Sequence, residues 1–184
     1  MNELVLKNGG KLTYRRLDDR DQCKLKRFQK EMAKYAHGFF TPHASDDETI
    51  NKVISRSMSD KDRVYIAFNR EGVVVAYFFL WWYSSEFPVL GLGITPKYQG
   101  QGLGRQLIDI LIEDARGNNC RAIELTTVLN NYRAFSLYQK LGFLYLGKVE
   151  NLVGDGSVVE ESHMYFPIEP EVKIPQRNHV TPFS

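Results

Sequence analysis

Two short stretches and a few scattered ionisable residues are where this sequence could do chemistry. Residues 94–105 read Ile-Thr-Pro-Lys-Tyr-Gln-Gly-Gln-Gly-Leu-Gly-Arg. An apolar strand pattern ends in a turn at Pro96. The loop Gln99, Gly100, Gln101, Gly102, Leu103, Gly104 follows, and a helical pattern begins at once, with Leu103, Leu107, Leu111 and Ala115 four apart. The first turn of a helix has unpaired N–H groups and the positive end of the macrodipole, so it attracts an anion. Glycines let the backbone come close to phosphate oxygens. The dinucleotide fingerprint G-x-G-x-x-G fails because its sixth position is Arg105. The P-loop fails because Gly104-Arg105-Gln106 is not Gly-Lys-Ser/Thr. The spacing present is Q-x-x-G-x-G, on Gln99, Gly102 and Gly104.

The second stretch, residues 131–143, reads Asn-Tyr-Arg-Ala-Phe-Ser-Leu-Tyr-Gln-Lys-Leu-Gly-Phe. Asn131 suits a helix N-cap, and Tyr138 shares an apolar stripe with Ala134, Leu137 and Leu141. Among the scattered groups, Glu86, Glu124 and His163 could each accept a proton, and each reads more readily as a structural residue. His37 and His43 flank Phe39 and Phe40 and read as loop residues. No His, Cys, Asp or Glu cluster has metal-ligand spacing, so no metal is expected.

With both stretches in place, the sequence resembles the GNAT superfamily of acyl-CoA-dependent N-acetyltransferases. Q-x-x-G-x-G matches that family's pyrophosphate cradle, and residues 131–143 match its N-x-x-A-x-x-x-Y-x-K-x-G-F segment. The match covers about residues 89–143, and the flanks agree only in their order of elements. The resemblance implies acetyl-CoA as donor, its pyrophosphate held by Gln99, Gly100, Gln101, Gly102, Leu103, Gly104 and the N–H of Arg105. It implies a bulged fourth strand carrying Gly91 and Gly93, splayed from the fifth. The pantetheine arm would lie against backbone of Leu92, Gly93 and Ile94 in that gap, one N–H polarising the thioester carbonyl. Asn131 would bond the pantetheine, and Tyr138 would protonate the thiolate that leaves.

The implied reaction is direct acetyl transfer to a primary amine in a ternary complex. A small-molecule acceptor is slightly favoured over a protein N-terminus or lysine, because no peptide-binding motif stands out. An acyl-CoA-binding regulatory module without turnover is the alternative. The general base stays open. The strand Val89–Ile94 has no carboxylate, Glu86 is the nearest, and Glu124, His163 or a chain of waters are the others.

The elements that must position these residues are those of an α+β fold of the GNAT type: a central, mixed, mostly antiparallel twisted sheet flanked by helices and splayed between strands 4 and 5. Strands are expected at 11–16, 64–68, 73–83, 90–94, 121–128, 143–150 and 160–167. Helices are expected near 25–35, from 45–47 to 57, from 103, and at 132–141. Asp18 or Asp19 would cap the first helix, and alternation puts Trp81 and Tyr83 on one face. One domain over residues 1–168 precedes a polar extension at 169–184 holding Pro170, Pro175 and Pro182. A net charge of +2 argues against a general nucleic-acid or membrane binder. The longest apolar run, 73–83, is about half of a membrane span. Two cysteines give no disulfide framework, and no signal-peptide core opens the chain, so a cytoplasmic enzyme is expected. A homodimer stays open.

Overall fold

A computed structural model describes residues 2–35, 40, 42–152 and 156–175. His37, Phe39 and the last nine residues of the extension lie outside the described residues. The elements run β1 (Asn2–Val5), β2 (Lys11–Arg16), α1 (Gln22–Tyr35), α2 (Asp47–Met58), β3 (Arg63–Phe68), β4 (Val74–Trp81), β5 (Val89–Ile94), α3 (Leu103–Gly117), β6 (Ala122–Val128), α4 (Tyr132–Lys140), β7 (Leu144–Leu152) and β8 (Val158–Pro167). Eight strands form one sheet in the order β1-β2-β3-β4-β5-β6-β8-β7. Every neighbouring pair is antiparallel except β5 and β6.

Strand alternation builds two cores. Ala76, Phe78 and Leu80 of β4 face α3, whose Leu103, Leu107, Leu111 and Ala115 form the expected four-residue stripe. Tyr77, Phe79 and Trp81 face the other way, under Leu25, Phe28 and Met32 of α1 and Ile50 and Val53 of α2. Local capping starts the helices. Asp46 accepts from the Thr49 N–H at 2.9 Å to open α2. Asp18 caps a short 3-10 turn, Asp19–Asp21, which leads into α1. Cys120 is buried, Cys23 is exposed, and both are free thiols. Among the described residues no helix is long and apolar enough to cross a membrane.

Three expectations are corrected. First, β1 gave no sign in the sequence, because four residues with one buried position, Leu4, are too short for alternation to register. Second, Trp81 and Tyr83 do not share a face. β4 ends at Trp81, and Trp82 adopts a left-handed φ of 51°, which breaks the alternation and turns Tyr83 into the α3 core. Third, β5 carries no bulge against β4. The register runs unbroken from Ala76 opposite Ile94 to Trp81 opposite Val89. The strand glycines make room for rings instead. A Cβ on Gly91 would stand 2.0 Å from the Phe79 ring, and one on Gly93 would stand 2.4 Å from Phe40.

His43 lies in the loop before α2, as expected, but it is buried there. It is 5% exposed and packs edge-on to Tyr77. Its ring nitrogens lie 3.1 Å from the Tyr77 hydroxyl and 2.8 Å from the Ala44 carbonyl oxygen. Burial pushes its pKa down from 6.5 to about 4. The unfolded chain therefore takes up a proton below about pH 6.5 that the folded chain refuses until about pH 4, so stability falls on acidification through that window. Urea unfolding should show a loss of about 2 kcal/mol attributable to this group between pH 7 and pH 5. His43→Asn should remove that part of the slope. Equal slopes in the two proteins would show that His43 does not report the buried core.

Candidate functional site

β5 and β6 share a single register position, Val89 opposite Glu124. Pairing continues only on one side of it. The Pro88 carbonyl accepts from the Glu124 N–H at 2.9 Å, and the Glu86 carbonyl accepts from the Arg121 N–H at 2.8 Å. On the other side both strands run on, to Ile94 and Val128, without pairing. The expected splay is therefore present, closed at Glu86 and open toward Ile94.

Backbone parity decides what faces the opening. The Thr95 N–H donates to the Val75 carbonyl at 2.9 Å. Antiparallel ladder bonds alternate along a strand, so Gly93 and Gly91 turn their polar groups to β4, opposite Tyr77 and Phe79. Leu90, Leu92 and Ile94 turn theirs toward β6, the parity that Pro88 and Glu86 already show. Of the three residues expected to line a pantetheine arm, Leu92 and Ile94 face the gap and Gly93 does not. The Gln99 side-chain amide donates to the Ile94 carbonyl at 2.8 Å and ties the loop to the strand end. The N–H and carbonyl of Leu92 and the N–H of Ile94 are thus aimed into the opening.

The loop itself has the form of an anion cradle. Gly100 and Gly102 have φ of 76° and 81°, a region that L side chains rarely adopt. Gly102 is the residue from which α3 starts, so the N–H groups of Leu103, Gly104 and Arg105 lie in its first, unpaired turn. Gly104 closes the arrangement. A Cβ there would meet Leu137 at 3.3 Å, Ile94 at 3.7 Å and Leu92 at 3.9 Å. One small residue thus lets α3, α4 and the open end of β5 converge. The loop offers the unpaired donors that a diphosphate needs. Arg105 is well exposed and only 3.7 Å from Asp109, so it adds a loosely held charge. Gln101 uses its side-chain amide on the Lys97 carbonyl at 3.0 Å and serves the loop rather than a ligand.

On α4, the Asn131 side chain accepts from the Ala134 N–H at 3.2 Å, which is the N-cap bond. Tyr138 is buried in the α3 core beside Phe143. Burial first, and then the charge of Glu161, raise its pKa to about 12. The phenol therefore keeps its proton throughout the neutral range.

The opposite face of β6 is polar. Ile123 and Leu125 enter the α3 core, so Glu124 and Thr126 point to the α1 and α2 side. His163 stands opposite Thr126 on β8, and its Nε2 is 2.8 Å from the Glu124 carboxylate. Asn151 Nδ2 donates to Thr126 Oγ1 at 3.0 Å and to Glu161 at 2.6 Å. Sequence reasoning named Glu124 and His163 separately and missed Thr126, Asn151 and Glu161. Only the pairing of β6, β7 and β8 brings these five together, so no local spacing could have shown it. Glu86 stands apart from all of them. It lies on the closed side of the splay, 63% exposed and 3.8 Å from Arg121, away from the opening. Among the described residues no three His, Cys, Asp or Glu side chains converge as metal ligands would.

Residues 24–143 match the sequence profile of the Acetyltransferase (GNAT) family. The N-alpha-acetyltransferase RimI of Mycobacterium tuberculosis is 37% identical over 62 residues, which are 34% of this chain and 37% of that protein. The spermine/spermidine N(1)-acetyltransferase of Bacillus subtilis is 38% identical over 58 residues, 31% of this chain and 38% of that protein. The chain spans about half or less of the length of the curated relatives it matches. The ribosomal-protein-S5-alanine acetyltransferase of Vibrio fischeri superposes with a TM-score of 0.75 at 10% identity, over 94% of this chain and all of that one, which shows a shared fold.

Gly102→Glu would put a carboxylate against the cradle. Coenzyme A affinity by calorimetry should fall by about tenfold or more, as expected for a misplaced charge. Gly102→Asn, which tolerates the left-handed region, should lose much less. Wild-type affinity in a folded Gly102→Glu protein would remove the cradle assignment.

Proposed function

This chain belongs to the GNAT acetyltransferase family, and from that premise we propose that it transfers an acetyl group from acetyl-CoA to a primary amine. The observation that carries the reading is the convergence at Gly104, where the glycine loop, the open end of β5 and the residue beside Tyr138 meet within van der Waals contact. The loop holds the donor's diphosphate. Leu92 and Ile94 pair with the pantetheine amides as a neighbouring strand would, and one of their N–H groups polarises the thioester carbonyl. The amine nitrogen attacks the carbonyl carbon, the C–S bond breaks, and Tyr138 gives its proton to the departing sulfur. Burial suits this step, because it keeps the phenol protonated until a strongly basic neighbour forms.

The acceptor approaches from the α1 and α2 side. Two buried carboxylates, Glu124 and Glu161, face that side, which favours a cationic amine. A small amine is the preferred acceptor. The named relatives act on polyamines or are N-alpha-acetyltransferases, and both acceptor classes are primary amines. With no carboxylate on β5 and Glu86 on the closed side, the amine's proton leaves to water or before binding. Asn131 serves first as the helix cap, and any bond to the donor would come from its remaining amide N–H groups.

Thiol release measured over a panel of amines tests the reading. Tyr138→Phe should lower kcat by about a hundredfold, within the range for general acid catalysis, and leave coenzyme A affinity unchanged. In the wild type kcat/KM should climb above about pH 8, toward the amine's own pKa near 10.4. Glu86→Gln should keep kcat/KM within about tenfold, well short of losing a positioned base. Full turnover in Tyr138→Phe would mean that water protonates the sulfur. A single ionisation near pH 6–7 that disappears in Glu86→Gln would restore Glu86 as the base.

A further inference from the structure

The glycine loop works through backbone donors, yet two cationic side chains stand over it. Lys7 comes from the turn between β1 and β2, outside residues 24–143 that the family profile matches. Three hydrogen bonds fasten that hairpin to the loop and to the first turn of α3. The Lys7 N–H donates to the Gln101 carbonyl at 3.1 Å. The Val5 N–H donates to Gln106 Oε1 at 3.2 Å, and Gln106 Nε2 donates to the Val5 carbonyl at 2.8 Å. The Lys7 stem then crosses Gly102, with Cγ and Cε each 3.5 Å from where a Cβ on that glycine would stand. Its ammonium is one bond further on.

Arg133 reaches the loop from α4. One guanidinium nitrogen lies 3.2 Å from the Cβ position of Gly100, and the other donates to Gln99 Oε1 at 3.3 Å. Neither cation has a carboxylate partner among the described residues. Arg15, Arg56, Arg121 and Lys148 all do. Two cations without counter-ions among the described residues, brought to one glycine loop from elements far apart in sequence, leave a site of excess positive charge over donors already aimed at an anion.

We propose that Lys7 and Arg133 form a cationic clamp on the phosphates of coenzyme A, one from each side of the loop, and that the N-terminal hairpin exists to carry Lys7 there. The clamp rests on reading the loop as the coenzyme A site. Its ligand chemistry is a phosphate ester, either the diphosphate or the ribose 3′-phosphate.

Calorimetry on the full chain with coenzyme A and with 3′-dephospho-coenzyme A tests it, using Lys7→Met and Arg133→Met, which keep a long apolar stem. Each variant should bind coenzyme A about tenfold more weakly, the scale of one charge-assisted bond, and with a shallower dependence on salt. Lys7→Arg should hold affinity within about threefold, because the charge is kept. A loss equal for both ligands places the clamp on the diphosphate. A loss confined to coenzyme A places it on the 3′-phosphate. Unchanged affinity and salt dependence in both methionine variants, with the wild type binding normally, would overturn the clamp alone. A wild type that binds neither ligand would overturn the loop reading, and the clamp with it.

Discussion

One parallel contact, Val89 opposite Glu124, joins the two halves of the sheet, and the site exists because pairing stops there. Backbone N–H and C=O groups need partners. Two adjacent strands that diverge in mid-course leave a row of such groups facing open space. The contact is well anchored. The Glu124 N–H is held by Pro88, its carboxylate by His163 at 2.8 Å, and Val89 and Leu90 are both buried. The strands therefore close firmly at one end, and Leu92 and Ile94 at the other end keep their donors for a ligand. The glycine loop follows directly from the open end of β5 and is pinned to it by Gln99. The loop thus stands in fixed register with the gap.

A net charge of +2 conceals two opposite local fields. Lys7, Arg105 and Arg133 surround the loop, whereas Glu124 and Glu161 lie on the α1 and α2 side of the sheet. Burial and the charge of Glu161 both hold the Tyr138 proton in place. The same carboxylate that raises this pKa also accepts from Asn151, which reaches Thr126 at the edge of the gap. The polar network is thereby linked to the strand that forms one wall of the opening.

The parts legible in the sequence were those whose signal is local. Gly102 and Gly104 at fixed spacing before a four-residue leucine stripe marked the loop and the start of α3, and the apolar runs at 64–68 and 73–83 marked β3 and β4. The parts not legible depend on residues distant in sequence. His43 is a loop residue, and its burial shows only once Tyr77 and Gln29 close around it. Gly91 and Gly93 suggest a bulge until Phe79 and Phe40 show why a side chain is excluded. Trp82 breaks the alternation through its backbone angle alone, which no periodicity records. Lys7 gains meaning only when the hairpin docks on Gln101 and Gln106. Which of Leu92, Gly93 and Ile94 faces the gap also required the register of β4 on β5.

Amide hydrogen exchange at single residues, followed by NMR with and without coenzyme A, tests the divergent strands most directly. The N–H groups of Leu92 and Ile94 should exchange quickly in the free protein and slow by about tenfold or more on binding, as a closed hydrogen bond protects its proton. Gly91 and Gly93, already bonded to β4, should be slow in both states. Protection of Leu92 and Ile94 in the free protein, or rates that coenzyme A leaves unchanged while it binds, would contradict the gap as the donor's seat.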